Sequence, residues 1–141
     1  MKKLFTYSFV AAFIALLFSS CTKERIQDSY SYWLSQERGN VVYSTGTCGY
    51  YVVETNYGYT IIQKMDGLRT YEGDIVYGNF GGYGTKQFYN YTAGFLTTGK
   101  IVDYDLSYGQ AQVAINYYCP TGKGAEATIK QSATANSKIQ R

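Results

Sequence analysis

Gly49-Tyr50-Tyr51-Val52-Val53-Glu54-Thr55-Asn56-Tyr57-Gly58-Tyr59-Thr60-Ile61-Ile62-Gln63 is the stretch whose reading decides the fold. Gly49 to Thr55 and Tyr59 to Gln63 are rich in β-branched and aromatic side chains, which suit a pleated and partly buried surface. Asn56-Tyr57-Gly58 between them is a three-residue connection with a glycine able to take a left-handed conformation, a hairpin signal. Two antiparallel strands joined by a tight turn are therefore expected at this point, and the rest of the chain has to supply their neighbours.

Toward the C-terminus, Asp66-Gly67 and Glu72-Gly73 punctuate the chain as turns. Asp74 to Phe80 reads as a third strand and Lys100 to Leu106 as a fourth. Strict alternation in the fourth puts Ile101, Asp103 and Asp105 on one face, with Val102, Tyr104 and Leu106 on the other. Tyr108 to Tyr118 is the longest alternating run and reads as a fifth strand, with Ala111, Val113, Ile115 and Tyr117 sharing a face. Gly81 to Gln87, followed by Phe88 to Thr98, forms the longest irregular connection. Toward the N-terminus the period of two sets in at Val41. Before it, Ser29 to Arg38 reads as a short helix capped by Asp28 or Ser29 and stopped by Gly39. Its face carries Tyr30, Trp33 and Leu34, and Trp33, the only tryptophan, is expected to plug one end of the core. Five strands, an initial helix and a long connection predict a small all-β barrel. The order of elements over residues 41–119 resembles an OB-fold, a five-stranded barrel whose second and third strands carry the binding face. An immunoglobulin-like sandwich needs seven strands, more than the chain offers.

The first 20 residues read as an address rather than as part of the fold. Met1-Lys2-Lys3 is cationic, Leu4 to Phe18 is uncharged and mostly apolar, and small Ser19 and Ser20 stand directly before Cys21. The apolar run falls short of the ~20 residues that a membrane span needs. Phe18-Ser19-Ser20-Cys21 resembles the lipobox of a bacterial lipoprotein signal peptide. The resemblance implies cleavage before Cys21, palmitate on that residue as the new N-terminus, and residence in the cell envelope, at the outer membrane. The chain then divides into a signal peptide (1–20), a lipidated tether (21–28), the barrel domain (29–120) and a flexible polar tail (121–141). Lys23-Glu24 partly resembles the surface-export pattern of lipoproteins of the Bacteroidota, although Arg25 stands where a second acid belongs. A plain hydrated tether accounts for the segment as well.

With Lys2 and Lys3 removed, 13 basic side chains become 11 against 10 acidic ones. Such balance offers no basic face for nucleic acid, and attachment to a membrane falls to the lipid on Cys21. Assigning Cys21 to lipid leaves Cys48 and Cys119 as a pair. Outside the cytoplasm a disulfide between them is expected, stabilising by roughly 4 kcal/mol through loop closure; two separately buried thiols are the alternative.

Histidine is absent, which removes the commonest general base and metal ligand. Asp103 and Asp105, about 7 Å apart along one strand, have the spacing of a carboxylate pair for hydrolysis or of two calcium ligands. The polar face of a half-buried strand explains them more simply, and the same holds for Glu72 and Asp74. Gly81-Gly82-Tyr83-Gly84 lacks the helix start and Lys-Ser/Thr pair of a phosphate loop and reads as a flexible turn. No cofactor is expected.

Tyrosine is the unusual signal. All but Tyr7 of the 17 tyrosines fall between Tyr30 and Tyr118, too many for a domain of this size to bury. Tyrosine suits strands and barrel rims, but it also supplies rigid contact area at low entropic cost. Tyr57 and Tyr59 beside the hairpin, and Tyr83, Tyr89 and Tyr91 in the long connection, are the candidate ligand-binding residues. The expected function is that of a non-catalytic binding module meeting a glycan or an envelope protein through aromatic loops. A structural accessory subunit of an envelope complex is the alternative, and a carboxylate hydrolase is a third.

Overall fold

A computed structural model of the chain describes residues 23–120 and 127–130, with side chains from residue 29 onward. The leader 1–20, Cys21 and most of the tail 121–141 lie outside the described residues. The chain divides into two compact units at Trp33/Leu34. Helix α1 (Lys23–Leu34) ends the first. It begins earlier than the expected Ser29 because Lys23, Glu24, Arg25 and Gln27 are good helix formers. Residues Glu37 to Gly39, expected to finish the helix, instead enter a strand. Trp33 is half-buried with its ring edge-on to Tyr32, at a centroid distance of 5.3 Å.

The second unit is a closed antiparallel barrel of six strands: β1 (Glu37–Ser44), β2 (Tyr50–Glu54), β3 (Tyr59–Lys64), β4 (Ile75–Gly78), β5 (Gly84–Asn90) and β6 (Phe95–Leu106). It consists of two three-stranded meanders, β1-β2-β3 and β4-β5-β6, joined along two seams. Glu37–Asn40 pairs with Ile75–Gly78 along one, and Tyr59–Lys64 with β6 along the other. The expected hairpin is there: Glu54 faces Tyr59, and Gly58 (φ 146°) makes the turn. The expected barrel stands with six strands rather than five. The added ones are β1 and β5, and β5 comes from the stretch read as irregular.

Tyr108 to Tyr118 is not a strand. It forms helix α2, opened by a capping box in which the Ser107 hydroxyl accepts from the Gln110 N–H and the Gln110 side chain accepts from the Ser107 N–H. Ala111 and Ile115, four residues apart, are fully buried, whereas Val113 is 72% and Tyr117 80% exposed. The apolar positions therefore follow a helical period, and the apparent alternation of two comes from Val113 and Tyr117 sitting outside.

Two cores result. Val41, Tyr51, Val53, Ile62, Val76, Phe80, Phe88 and Ile101 fill the barrel interior, where Phe80 stacks on Phe88 at 5.2 Å. A side chain at Gly78 would put its Cβ 2.6 Å from Phe88, so only glycine fits beside that ring. On the outside, Val42, Tyr43, Val52, Tyr59 and Ile61 pack under α2 and under residues 127–130. The disulfide Cys48–Cys119 ties the C-terminal cap of α2 to the β1–β2 loop, with Cα atoms 5.7 Å apart.

Residues 127–130, expected in a mobile tail, are held in place. Gln112 of α2 donates to the Ala127 carbonyl and accepts from the Ile129 N–H, and Tyr108 donates to the Ile129 carbonyl. The Lys130 N–H donates to the Val42 carbonyl and its ammonium pairs with Glu72 at 2.7 Å. Ala127 and Ile129 are buried while Thr128 and Lys130 are exposed, an alternation too short to register in a compositional reading of the tail. Among the described residues no helix is long and apolar enough to cross a membrane.

Candidate functional site

The barrel wears its cover on one side only. Among the described residues of this unit, α2 and residues 127–130 lie over the outer face of β1, β2 and β3 rather than over β4, β5 and the first half of β6. On that bare side the register lines up side chains across four strands. Arg38 of β1 is opposite Tyr77, Tyr77 is opposite Tyr89, and Tyr89 is opposite Leu96. Residues directly opposite in an antiparallel sheet project from the same face. Their chain neighbours Gly39, Val76, Phe88, Asn90 and Thr97 are buried, so this row points outward. Three inter-strand steps make it about 14 Å long.

Tyr91 extends the row. Its ring meets Tyr77 edge-on at 5.9 Å, and its N–H donates to the Ile75 carbonyl at 2.9 Å. The hairpin that presents it is fastened from below. Asn90 accepts from the Ala93 N–H at 2.9 Å and donates to buried Asp74 at 2.7 Å, and Asp74 also accepts from the Tyr71 N–H. Thr92 accepts from the Ile75 N–H at 2.9 Å, and Gly94 (φ 75°) closes the turn. Tyr91 and Leu96 are both 44% exposed, and Arg38 stands exposed at the far end. The strip offers aromatic and aliphatic surface with tyrosine hydroxyls among it and one guanidinium. It can stack on a sugar ring or bury apolar side chains of a partner.

Of the five candidate tyrosines, Tyr89 and Tyr91 belong to this strip. Tyr83 is 68% exposed but sits at the opposite end of β5, edge-on to Tyr104 at 4.9 Å. Eight residue steps along a strand put it about 26 Å from Tyr91. Tyr57 is half-buried in the β2–β3 turn, its N–H donating to the Thr55 hydroxyl at 3.1 Å. Tyr59 is a correction. It is 2% exposed and donates its hydroxyl to Glu54 at 3.1 Å, and burial together with that carboxylate pushes its pKa well above the usual tyrosine value. A ring beneath α2 reaches no ligand. The five therefore do not make one surface, and the reading overlooked Arg38, Tyr77 and Leu96. Alternation in Ile75-Val76-Tyr77 and Gln87-Phe88-Tyr89 marks outward positions, but only the strand register shows that they adjoin.

The other sequence candidates resolve into structure. β6 pairs irregularly with β3, with Ile61 opposite Asp103 but Ile62 opposite Ile101. A further irregularity surrounds Asp105, whose φ is 53°. Ile101 consequently faces the barrel interior while Asp103 lies outside beside α2, so the expected common face of Ile101, Asp103 and Asp105 is broken. Among the described residues no cluster of three metal-ligating side chains occurs. Gly81-Gly82-Tyr83-Gly84 is a turn, and the Lys86 ammonium is spent on it, donating to the Gly81 carbonyl and to Asn79.

No protein-family model, curated protein or solved structure matches the chain.

Proposed function

We propose that this chain is a cell-envelope lipoprotein, anchored through lipid on Cys21, whose barrel is a binding module working through the bare side of its sheet. The lipobox-like Phe18-Ser19-Ser20-Cys21 supports the anchor. One observation carries the binding reading: the row Arg38–Tyr77–Tyr89–Leu96, continued by Tyr91, lies on the outer face of the barrel away from α2 and residues 127–130. An aromatic row of this kind supplies stiff contact area at little entropic cost. The contact surface is a sheet face rather than the loop tips, and the partner is a glycan or an envelope protein.

The anchor is tested by labelling with a palmitate analogue, which Cys21→Ser should abolish; label persisting on the variant refutes the lipid assignment. The surface is tested with the full chain in detergent, on a glycan array and by cross-linking within envelopes. Binding to a glycan class supports the lectin-like role, and reproducible cross-linking to one envelope protein supports the accessory-subunit role. In either case Tyr91→Ala should weaken the interaction by about tenfold or more, as loss of an aromatic anchor does. Unchanged binding by both Tyr91→Ala and Tyr89→Ala overturns the assignment of the strip.

A further inference from the structure

The irregular pairing of β6 has a counterpart on the surface. A bulge places an extra residue against the partner strand and redirects side chains. Here Ile101 stays in the barrel core, Val102 packs in the outer cluster, and Asp103 opens onto a groove between β6 and α2. The groove has a volume of 530 Å³ and is walled by Val113, Ala114, Tyr117 and Tyr118. Tyr118 is fixed by stacking on Tyr50 at 4.7 Å, and Tyr117 meets it edge-on at 5.3 Å. The Tyr118 hydroxyl donates to Oδ2 of Asp103 at 3.1 Å.

Asp103 has no cationic partner among the described residues, where the one ion pair is Lys130–Glu72. An apolar, aromatic-walled groove thus includes a carboxylate with no cation paired to it among the described residues. The complementary group is a cation with a flat, weakly hydrated body. Guanidinium fits better than ammonium, because it pairs with carboxylate through parallel N–H donors and lays its face on aromatic rings. We infer that this groove receives an arginine side chain of a partner polypeptide, its guanidinium on Asp103 and its stem along Val113, Ala114 and Tyr117. The groove exceeds the volume of one side chain, leaving room for the flanking residues of the partner. This site is separate from the Tyr77–Tyr89–Leu96 strip, so the two readings stand or fall independently.

The test is amide NMR on the isotope-labelled full chain in detergent micelles. The probes are acetyl-Gly-Arg-Gly-amide, the same tripeptide with citrulline, and methyl glucoside. The arginine peptide should give saturable shifts at β6 and α2 residues around Asp103, with citrulline weaker by about tenfold or more because a charge-assisted pair becomes neutral. Asp103→Asn should reduce arginine binding by a similar factor. Tyr118→Phe keeps the ring and releases the carboxylate from its internal hydrogen bond, so it should bind arginine as well as the parent or better. Equal affinity for citrulline, methyl glucoside saturating the same residues in place of arginine, or no saturable shift with any probe overturns the inference. If Asp103→Asn perturbs folding, the citrulline comparison and Tyr118→Phe still decide.

Discussion

Replacing Val113 and Ile115 by alanine, one at a time, tests the largest departure from simple alternation. On a strand the two residues share a face and should respond alike. On a helix, two residues correspond to a rotation of about 200°, so the responses should be opposite in kind. Ile115 is fully buried on the barrel-facing side of α2, in one cluster with Ala111, Val52 and Ile61. Truncation to alanine removes three carbons from contact, about 2.4 kcal/mol at ~0.8 kcal/mol each. The cavity left behind raises the loss to about 3 kcal/mol, within the ~2–5 observed for such changes. Val113 is 72% exposed, so its truncation should stay within about 0.5 kcal/mol and lean toward stabilisation, since alanine is the better helix former. A domain of roughly 100 residues shifts its Tm by about 4–8 °C per kcal/mol, so Ile115→Ala should melt about 12–24 °C lower and Val113→Ala within a few degrees of the parent. Far-UV circular dichroism melts of the oxidised full chain supply the measurement. A loss above ~1.5 kcal/mol for Val113→Ala, or below ~1 for Ile115→Ala, refutes the helical packing argued here.

Three further outcomes are expected. The pair Cys48→Ser/Cys119→Ser, which opens a link spanning 71 residues, should lower stability by about 4 kcal/mol; non-reducing peptide mapping should show the cross-link in the parent, and a variant as stable as the parent contradicts it. Tyr51 is almost fully buried and its hydroxyl has no hydrogen-bond partner among the described residues, so Tyr51→Phe should leave stability unchanged or raise it by about 1 kcal/mol, and a clear loss in urea titration would show that the hydroxyl is satisfied. Burial raises the pKa of Tyr51, Tyr59 and Tyr118, with Asp66, Glu54 and Asp103 adding to it respectively. The native phenols therefore keep protons that the unfolded chain releases near pH ~10. Stability from these groups is fully present below that pH and falls as pH rises past it; a melting temperature that holds level from pH 9 to 11 argues against this linkage.

The hairpin, the barrel and the cysteine pair were legible from local signatures: β-branched runs around Asn56-Tyr57-Gly58, and two cysteines left over once Cys21 is assigned to the proposed lipid. β5 was not legible, because Gly84-Thr85-Lys86-Gln87 looks like loop, and the strand exists through its pairing with β6. α2 was misread on period, although Ser107-Tyr108-Gly109-Gln110 carries the capping box that marks a helix start. Tyr117 and Val113 looked like core because large apolar side chains usually are, and here α2 buries little beyond Ala111 and Ile115. The binding strip was half visible: Tyr89 and Tyr91 can be singled out by type, but their adjacency to Tyr77 and Leu96 depends on which strands become neighbours. That is settled by closure of the barrel, through pairings between distant parts of the chain such as Arg38 with Tyr77.

Closure also limits the kinds of partner this protein can recruit. Every strand among the described residues has a neighbour on both sides, so no strand lies at the edge of an open sheet. An extended peptide that would add itself as another strand to an open sheet meets a closed one here. The same property disfavours edge-to-edge zipping between copies of the chain. If the barrel binds as proposed, selection of its partner rests on side-chain chemistry of the outer face, where exchanging one tyrosine can redirect recognition while the hydrogen-bonded frame stays as it is.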